Sequence, residues 1–342
     1  MSRLLRNRHA FLLITALWTL AFLAVLAVTI ALGTRQKIML LSRLEDRHRA
    51  QLAAEAGIKK AVAILLDDLE DNQFAYSAKA KVRRFNNSGE FAAISIGEER
   101  ADVSCPAFDE DQGKVVDRYG LCDEQAKINI NVADLDIMAR LIVDVSGRPE
   151  DVARQIAQDI IDWRDYGKRK AEGFFSDDYY MSLQYPYRMK ERNFERIDEL
   201  FLVKGITPDL FEALRPFMTI FGDGRINVNS APPQVWRALG MEPVVVAKIL
   251  KARKGVDGRE NTEDDHVFYR TFDIASEVSA IIKLEDKEIK QINDMNARNV
   301  WRTDSMVYSM VSRVASDGED FKRTIEVVFN ALANKYEYWC EK

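Results

Sequence analysis

The chain has 342 residues, 47% apolar and 30% charged, with a formal net charge of −5. That length leaves room for a tether and two modest domains, and the soluble part is apolar enough to bury a core. The near-balanced charge offers no basic stripe for nucleic acid, and three cysteines are too few for a disulfide framework.

Residues 10–33, AFLLITALWTLAFLAVLAVTIALG, carry no charged side chain. As a helix they would be about 36 Å long, slightly more than a hydrocarbon core of about 30 Å. Arg3, Arg6, Arg8 and His9 precede them; Arg35, Lys37 and Arg43 follow, and no acid occurs before Glu45. Three cations on each side leave orientation unset by charge bias. A removed secretory signal is one reading, with Ala31-Leu32-Gly33 as a small-x-small cleavage site. A retained anchor is the other, and two features favour it: the run is long for a signal, and helical patterning continues beyond it. No proline or glycine falls between Thr34 and Ala56, and apolar residues recur at Ile38, Leu41, Leu44, Leu52, Ile58, Val62, Leu65, Leu66 and Leu69. The spacing predicts one helix over residues 11–71, about 90 Å long, one third in lipid and the rest packed on a domain.

Residues 72–90 read as a polar loop. Strands are predicted at 91–97, 101–105 and 114–119, and an alternating strand or extended entry at 126–132. From 134 to 299 the pattern is mostly helical, with loops at 165–192 and 254–268. Strands return at 305–315 and 321–332 around a turn at 316–320, and a tail follows. Strands on both sides of a helical block make an α+β fold. A long transmembrane and amphipathic helix lies on an antiparallel sheet, and a large all-α domain is inserted between strands. The corresponding parts are 1–10, 11–33, 34–132, 133–299 and 300–342. Cys105 and Cys122 are close enough to staple a hairpin in an oxidising compartment, or remain free thiols; Cys340 sits in the tail.

The helical block contains a repeat. Ile128-Asn129-Ile130-Asn131-Val132-Ala133 recurs 98 residues later as Ile226-Asn227-Val228-Asn229-Ser230-Ala231. Each copy precedes a helix, at 135–143 and 232–239, and then a second one, at 150–163 and 244–254. Asn131 in the first copy, and Asn229 or Ser230 in the second, are expected to cap the first helix of each pair, with Pro232 and Pro233 in a first turn where no donor is missed. Nothing in this motif requires catalysis.

Four stretches together resemble the type II secretion minor pseudopilin K family. RHAFLLITALWTLAFLAVL looks like a prepilin-type leader. DEQAKININVADL (123–135) matches an Asp-Glu-x-x-x-x-Asn-x-Asn element. DWRDYG, SDDYY, YPYR and NFERIDELFLVKGITPDLFEALRPFMTIFG, spread over 162–222, follow the family's middle segment. GRINVNSAPPQVWRAL (224–239) is close to its most recognisable motif. The resemblance implies a pilin-like body, cleavage by a prepilin peptidase between Ala10 and Phe11, and methylation of the new terminus. It implies a single-pass inner-membrane location with the bulk of the chain in the periplasm. As partners it implies members I and J of the family at a pseudopilus tip, where the protein starts assembly and supports export. Most pilins have glutamate at mature position five. Here that position is Thr15, as is usual for member K, and Ala10 stands where glycine is usual before the cut. A subunit without that glutamate can begin or end a fibre but has no buried acid to pair inside it.

Two acidic loops are candidates for Ca2+, a cation that takes six to eight oxygens. The first, Asp162, Asp165, Asp177 and Asp178, lies in the segment resembling the family's metal loop, with Gly167 and Ser176 where acids are common. The second, Asp257, Glu260, Asp264 and Asp265, is dense in oxygens but lacks EF-hand spacing. Leu202-Val203-Lys204-Gly205-Ile206 with Leu210 resembles half of a helix-hairpin-helix, which makes a membrane-anchored DNA-binding pilus protein the alternative function. Glu195, Asp198, Glu199, Asp209 and Glu212 surround it, where phosphate would call for cations. His9, His48 and His266 stand beside no nucleophile, and no catalytic motif is present. Tyr166, Phe174, Phe175, Tyr179, Tyr180, Tyr185 and Tyr187 form an aromatic cluster, either core or a partner surface.

Overall fold

A computed structural model describes residues 2–71, 87–109, 113–165, 177–260, 262–315 and 323–342. The expected long helix is α1 (Ser2–Asp71), 70 residues and about 105 Å. Among the described residues, nothing buries the apolar window of its first part. From Ala50 onward the spacing of small and apolar residues turns one face into core: Ala50, Ala53, Ala54, Ile58, Ala61 and Leu65 are fully buried. Alanines and Gly57 let the helix come close to the sheet below. A Cβ at Gly57 would lie 2.6 Å from Ser312 Oγ and 3.3 Å from Val103 Cγ2.

That sheet runs β1 (Ile94–Ile96), β2 (Glu99–Asp109), β9 (Val307–Val314), β10 (Arg323–Asn330), β11 (Lys335–Glu341), with every pairing antiparallel. β3 (Lys114–Tyr119) pairs with β2, and β4 (Cys122–Asp123) with β9. Ala101–Ser104 of β2 pair with β9, but beyond Ser104 the strand leaves β9 and pairs with β3 alone. β4 takes the vacated stretch of β9, opposite Ser309 and Tyr308. Cys105 and Cys122 are bonded across this fork, 17 residues apart with Cα atoms 5.8 Å apart. Closing a loop of that size contributes about 3 kcal/mol.

Three local expectations are corrected. Phe91 is not in a strand. Ser88–Phe91 is a helical turn capped by Asn87, whose Oδ1 accepts from Glu90 N, and it buries Phe91 under α1. The alternating stretch 126–132 keeps only two paired residues, β5 (Ile128–Asn129), because Glu124–Ala126 form a 3-10 turn before it and Asn129 turns the chain after it. The tail is a strand: β11 pairs with β10 from Ile325–Glu341 to Asn330–Lys335, after a turn in which Asn334 adopts φ 47° and Asn330 Oδ1 accepts from Ala333 N. The predicted turn at 316–320 and most of the loop at 72–90 lie outside the described residues.

The inserted block holds a second buried cluster around Met138, Leu141, Ile160, Trp236, Ile249 and Ile292. Its helices of six residues or more, among the described residues and leaving aside the 3-10 turns, are α2 (Leu135–Ser146), α3 (Glu150–Arg164), α4 (Pro208–Leu214), α5 (Pro233–Ala238), α6 (Pro243–Arg253), α7 (Ile274–Ile281) and α8 (Asp286–Ala297). Two short parallel bridges tie it together: β5 with β6 (Met218–Thr219), and β7 (Ile226–Asn227) with β8 (Trp301–Arg302).

Candidate functional site

The repeat places its asparagines differently from the expected caps. Asp134 caps α2, its Oδ1 accepting from Ile137 N at 2.8 Å. Asn131 instead clamps a distant segment: its Nδ2 donates to Phe194 O at 3.0 Å, and its Oδ1 accepts from Phe194 N at 2.8 Å. Asn229 does the same to Phe268, at 2.8 and 2.9 Å. The likeness extends to the second helix of each copy. Arg164 at the end of α3 donates to Ile130 O and Ala133 O, and Arg253 at the end of α6 donates to Val228 O and Ala231 O. Each copy is thus one unit whose terminal arginine satisfies the carbonyls of its own turn. Ser230 caps nothing; it donates to Asp123.

Asp123-Glu124-Gln125 joins sheet to block. Asp123 is buried and accepts from Ser230 Oγ, Ser305 Oγ (2.5 Å), Asn227 Nδ2 (2.7 Å) and Gln125 N (2.8 Å). Burial pushes its pKa up, and these four bonds offset that push only in part. Glu124 accepts from Lys127 Nζ and Thr219 Oγ1, both at 2.5 Å, and from Ser309 Oγ at 2.6 Å. Gln125 Oε1 accepts from Met306 N at 2.8 Å. Side chains from three consecutive residues therefore reach partners about a hundred and about 180 positions away. Buried polar groups tolerate such a position only when their bonds are made.

Burial alone would raise the Glu124 pKa, but Lys127 and the two hydroxyls hold it below the ordinary 4.5. A depressed acid contributes stability above its unfolded value and loses it as pH falls through the folded one. Wild type is therefore expected to lose thermal midpoint below pH 4.5 more steeply than Glu124→Gln in an acid titration. Parallel curves for the two proteins would remove Glu124 from the junction's energetics.

The acidic loops are arranged for their own folding. In the second, Asp264 Oδ2 accepts from Val256 N (2.7 Å) and Asp257 N (3.0 Å), and Glu260 pairs with buried Arg253. Thr262 Oγ1 lies 2.8 Å from Asp264 Oδ1 and 3.2 Å from Asp265 Oδ1. Glu260 is turned away toward Arg253, while Asp257 Oδ1 lies 3.5 Å from the same Thr262 Oγ1, so the loop's carboxylates are engaged within the loop and by Arg253. In the first loop, buried Asp162 accepts from Gln158 Nε2 at 2.9 Å and Asp165 from Arg164 Nε at 3.3 Å, while Asp178 is exposed. Gly167, Ser176 and the Asp177 side chain lie outside the described residues. Among the described residues, no three His, Cys, Asp or Glu side chains gather as a metal site.

The Lys204-Gly205 hairpin packs inward. Gly205 has φ +84°, a Cβ there would lie 2.9 Å from Ile156 Cγ1, and Lys204 Nζ sits 4.9 Å from the Tyr179 ring centre. Of the aromatic cluster, Tyr180 is core, set edge to face against Trp163 at 5.6 Å with its pKa pushed up to about 12 by burial, whereas Tyr185 is 79% exposed. Tyr166, Phe174 and Phe175 lie outside the described residues.

A surface remains that carries no chemistry but is not solvent-like. Ile38, Leu40, Leu41, Leu44 and Leu52 of α1 are each at least half exposed. At 100° per residue they fall on one side of the helix, centred about 180° around it from the face that buries Ala53, Gly57 and Ala61. Beside Leu52, α1 meets the sheet's free edge, where Gln51 Nε2 lies 3.3 Å from Glu341 Oε2 and the exposed rings of Tyr336 and Trp339 meet edge to face at 5.1 Å.

Residues 117–223 match the sequence model of the family described as type II secretion system (T2SS), protein K. The type II secretion system protein K of Pectobacterium carotovorum subsp. carotovorum is 30% identical over 90 residues, 26% of this chain and 27% of that protein. The aligned stretch thus spans about a quarter of the relative. The crystal structure of the GspK-GspI-GspJ complex from the enterotoxigenic Escherichia coli type 2 secretion system superposes with a TM-score of 0.57 at 14% identity, over 87% of this chain and 95% of that one. At such identity the likeness is one of fold. Residues 117–223 thus carry the type II secretion system protein K profile, and the fold over most of the chain is like that of a chain in the solved complex.

Proposed function

We propose that this protein is a minor pseudopilin, anchored in the bacterial inner membrane with its folded part in the periplasm, that caps a type II secretion pseudopilus and acts as a structural subunit rather than an enzyme. The observation that carries this reading is the apolar arc of α1. It faces away from the protein's own sheet and runs on from the membrane segment, so a membrane-anchored helix alongside is the partner that fits it. The solved relative is in complex with an I-type and a J-type subunit, and equivalents of these are the proposed partners. Two features support a terminal place in the filament. Thr15 Oγ1 donates to Leu12 O within its own helix at 2.9 Å and presents no acid to a neighbour's amine. The inserted block also adds bulk that a packed shaft has no room for. The Cys105–Cys122 bond suits an oxidising compartment.

The test is co-purification with the I-type and J-type subunits from membranes. The unsubstituted protein is expected to retain both and to begin at Phe11 by N-terminal sequencing, while Leu41→Glu/Leu44→Glu loses them without loss of folding. Equal recovery by that variant, or a mature chain starting near Thr34, would overturn the proposal. The DNA-binding alternative gains nothing from the hairpin, whose glycine packs on Ile156 among acids.

Calcium at the first acidic loop is a separate proposal, supported by the carboxylates of Asp162 and Asp165 at the end of α3. Millimolar calcium is expected to raise the thermal midpoint by a few degrees, about 1–2 kcal/mol, relative to chelator. An unchanged midpoint would remove the metal.

A further inference from the structure

We propose that Arg35, Lys37 and Arg43, on α1 just beyond the apolar segment, bind the phosphate headgroups of anionic lipids in the leaflet beside the folded domain. The argument starts from depth. If the apolar run of about 36 Å is centred on a core of about 30 Å, Gly33 lies about 3 Å outside it. Arg35 and Lys37 then lie about 6 and 9 Å outside, at the outer part of the headgroup layer, and their side chains are long enough to reach back into it. Arg43 stands about 10 Å further out, within roughly one screening length of the surface. α1 is unbroken helix through this region, so these depths follow from the rise per residue.

The second consideration is partners. Arg35, Lys37 and Arg43 are all exposed, and among the described residues none makes a hydrogen bond or ion pair. The first acid of the chain, Glu45, is held by Arg49, which also reaches Glu98 at 2.8 Å. Three uncompensated cations in nine positions, with no acid among them, would repel one another in water and are satisfied by a layer of phosphates. Arg35 and Arg43 lie outside the apolar arc, so a helix docked on that arc leaves both facing lipid.

The full-length protein in phosphatidylcholine nanodiscs gives the test, with spin-labelled phosphatidylglycerol or phosphatidylcholine as probe. Arg3→Gln/Arg6→Gln/Arg8→Gln serves as background so that cations of the opposite leaflet do not contribute. Expected is a preference for phosphatidylglycerol of about threefold or more in low salt, falling to near one in about 0.5 M sodium chloride. Adding Arg35→Gln/Lys37→Gln/Arg43→Gln is expected to abolish the preference. The salt series with Arg35, Lys37 and Arg43 unsubstituted reads the same contact should the sixfold variant insert poorly. Equal association of both lipids, or a preference untouched by the three substitutions, would overturn the proposal. So would stronger competition by inorganic phosphate than by sodium chloride at equal ionic strength, which would indicate a site for the free ion. The measurement uses one protein in one disc, so its outcome is independent of pseudopilus assembly.

Discussion

Gly57→Leu is expected to destabilise the body of the protein by about 3 kcal/mol and to make α1 separable from its sheet. The reason is backbone approach. The Cβ position of Gly57 is already crowded by Ser312 Oγ at 2.6 Å, Val103 Cγ2 at 3.3 Å and Ala101 Cβ at 3.4 Å, from two adjacent strands. A leucine there can be accommodated only if the helix lifts, which opens the layer holding Ile58, Leu65, Tyr308 and Met310. Gly57→Ala separates this from a simple clash. Ser312 Oγ has no hydrogen-bond partner, so it can rotate away at little cost, and alanine gains about 1 kcal/mol of helix propensity over glycine. Alanine is therefore expected to be nearly neutral. Limited proteolysis of the detergent-extracted protein, with a chemical denaturation curve, distinguishes the two. A leucine variant as stable as the alanine one would show that α1 is not seated by this contact.

The second large effect is expected at Asp123. Asp123→Ala removes the acceptor shared by Ser230, Ser305, Asn227 and Gln125 N. The hydroxyls can turn to other partners, but the Asn227 amide and the Gln125 N–H cannot easily do so. Two stranded buried donors cost about 2–5 kcal/mol in total. Asp144→Ala is the control: it breaks the bidentate pair with Arg237 on the surface, where less than about 1 kcal/mol is at stake. Hydrogen exchange should show the Asp123 variant opening first around 226–231 and 303–307, while α2 and α3 stay protected. Equal losses in the two variants, or uniform opening of the whole chain, would mean that Asp123 is not the link between sheet and block.

How much of this was legible beforehand depends on how far apart the partners lie. The α1 helix was readable because its signal is local: no glycine or proline between Thr34 and Ala56, and apolar residues at helical spacing. The C-terminal hairpin and the four helices paired by the repeat were readable for the same reason. The repeat itself was visible, yet the roles of its asparagines were not. Asn131 and Asn229 stand one turn ahead of a helix, where a cap is the local expectation, but their partners Phe194 and Phe268 are 63 and 39 residues away. Arg164 and Arg253 could have been found as the basic residue ending the second helix of each copy; no spacing rule pointed to carbonyls 34 and 25 positions back. β11 was missed because Lys335–Glu341 mixes charges with aromatics, the composition of an exposed edge strand, and resembles a polar tail. Asp123 and Glu124 carried a family motif without a visible reason; the reason is a set of partners contributed mainly by β7, β9 and the turns beside them.

Between Gly33, which has nothing within 4 Å of a Cβ position, and Ala50, where burial begins, α1 runs for about 25 Å with no buried residue among the described ones. A single unsupported rod is stiff in bending over that distance and is fused to the body through the tightly seated Gly57 stretch. If the apolar segment is seated in a bilayer as proposed, leaning it by 10° would carry the far end of the helix, some 57 Å beyond Gly33, sideways by about 10 Å. Small changes of posture within the lipid become large excursions of the head, so whatever sets the lean of the anchor also aims what the head can touch.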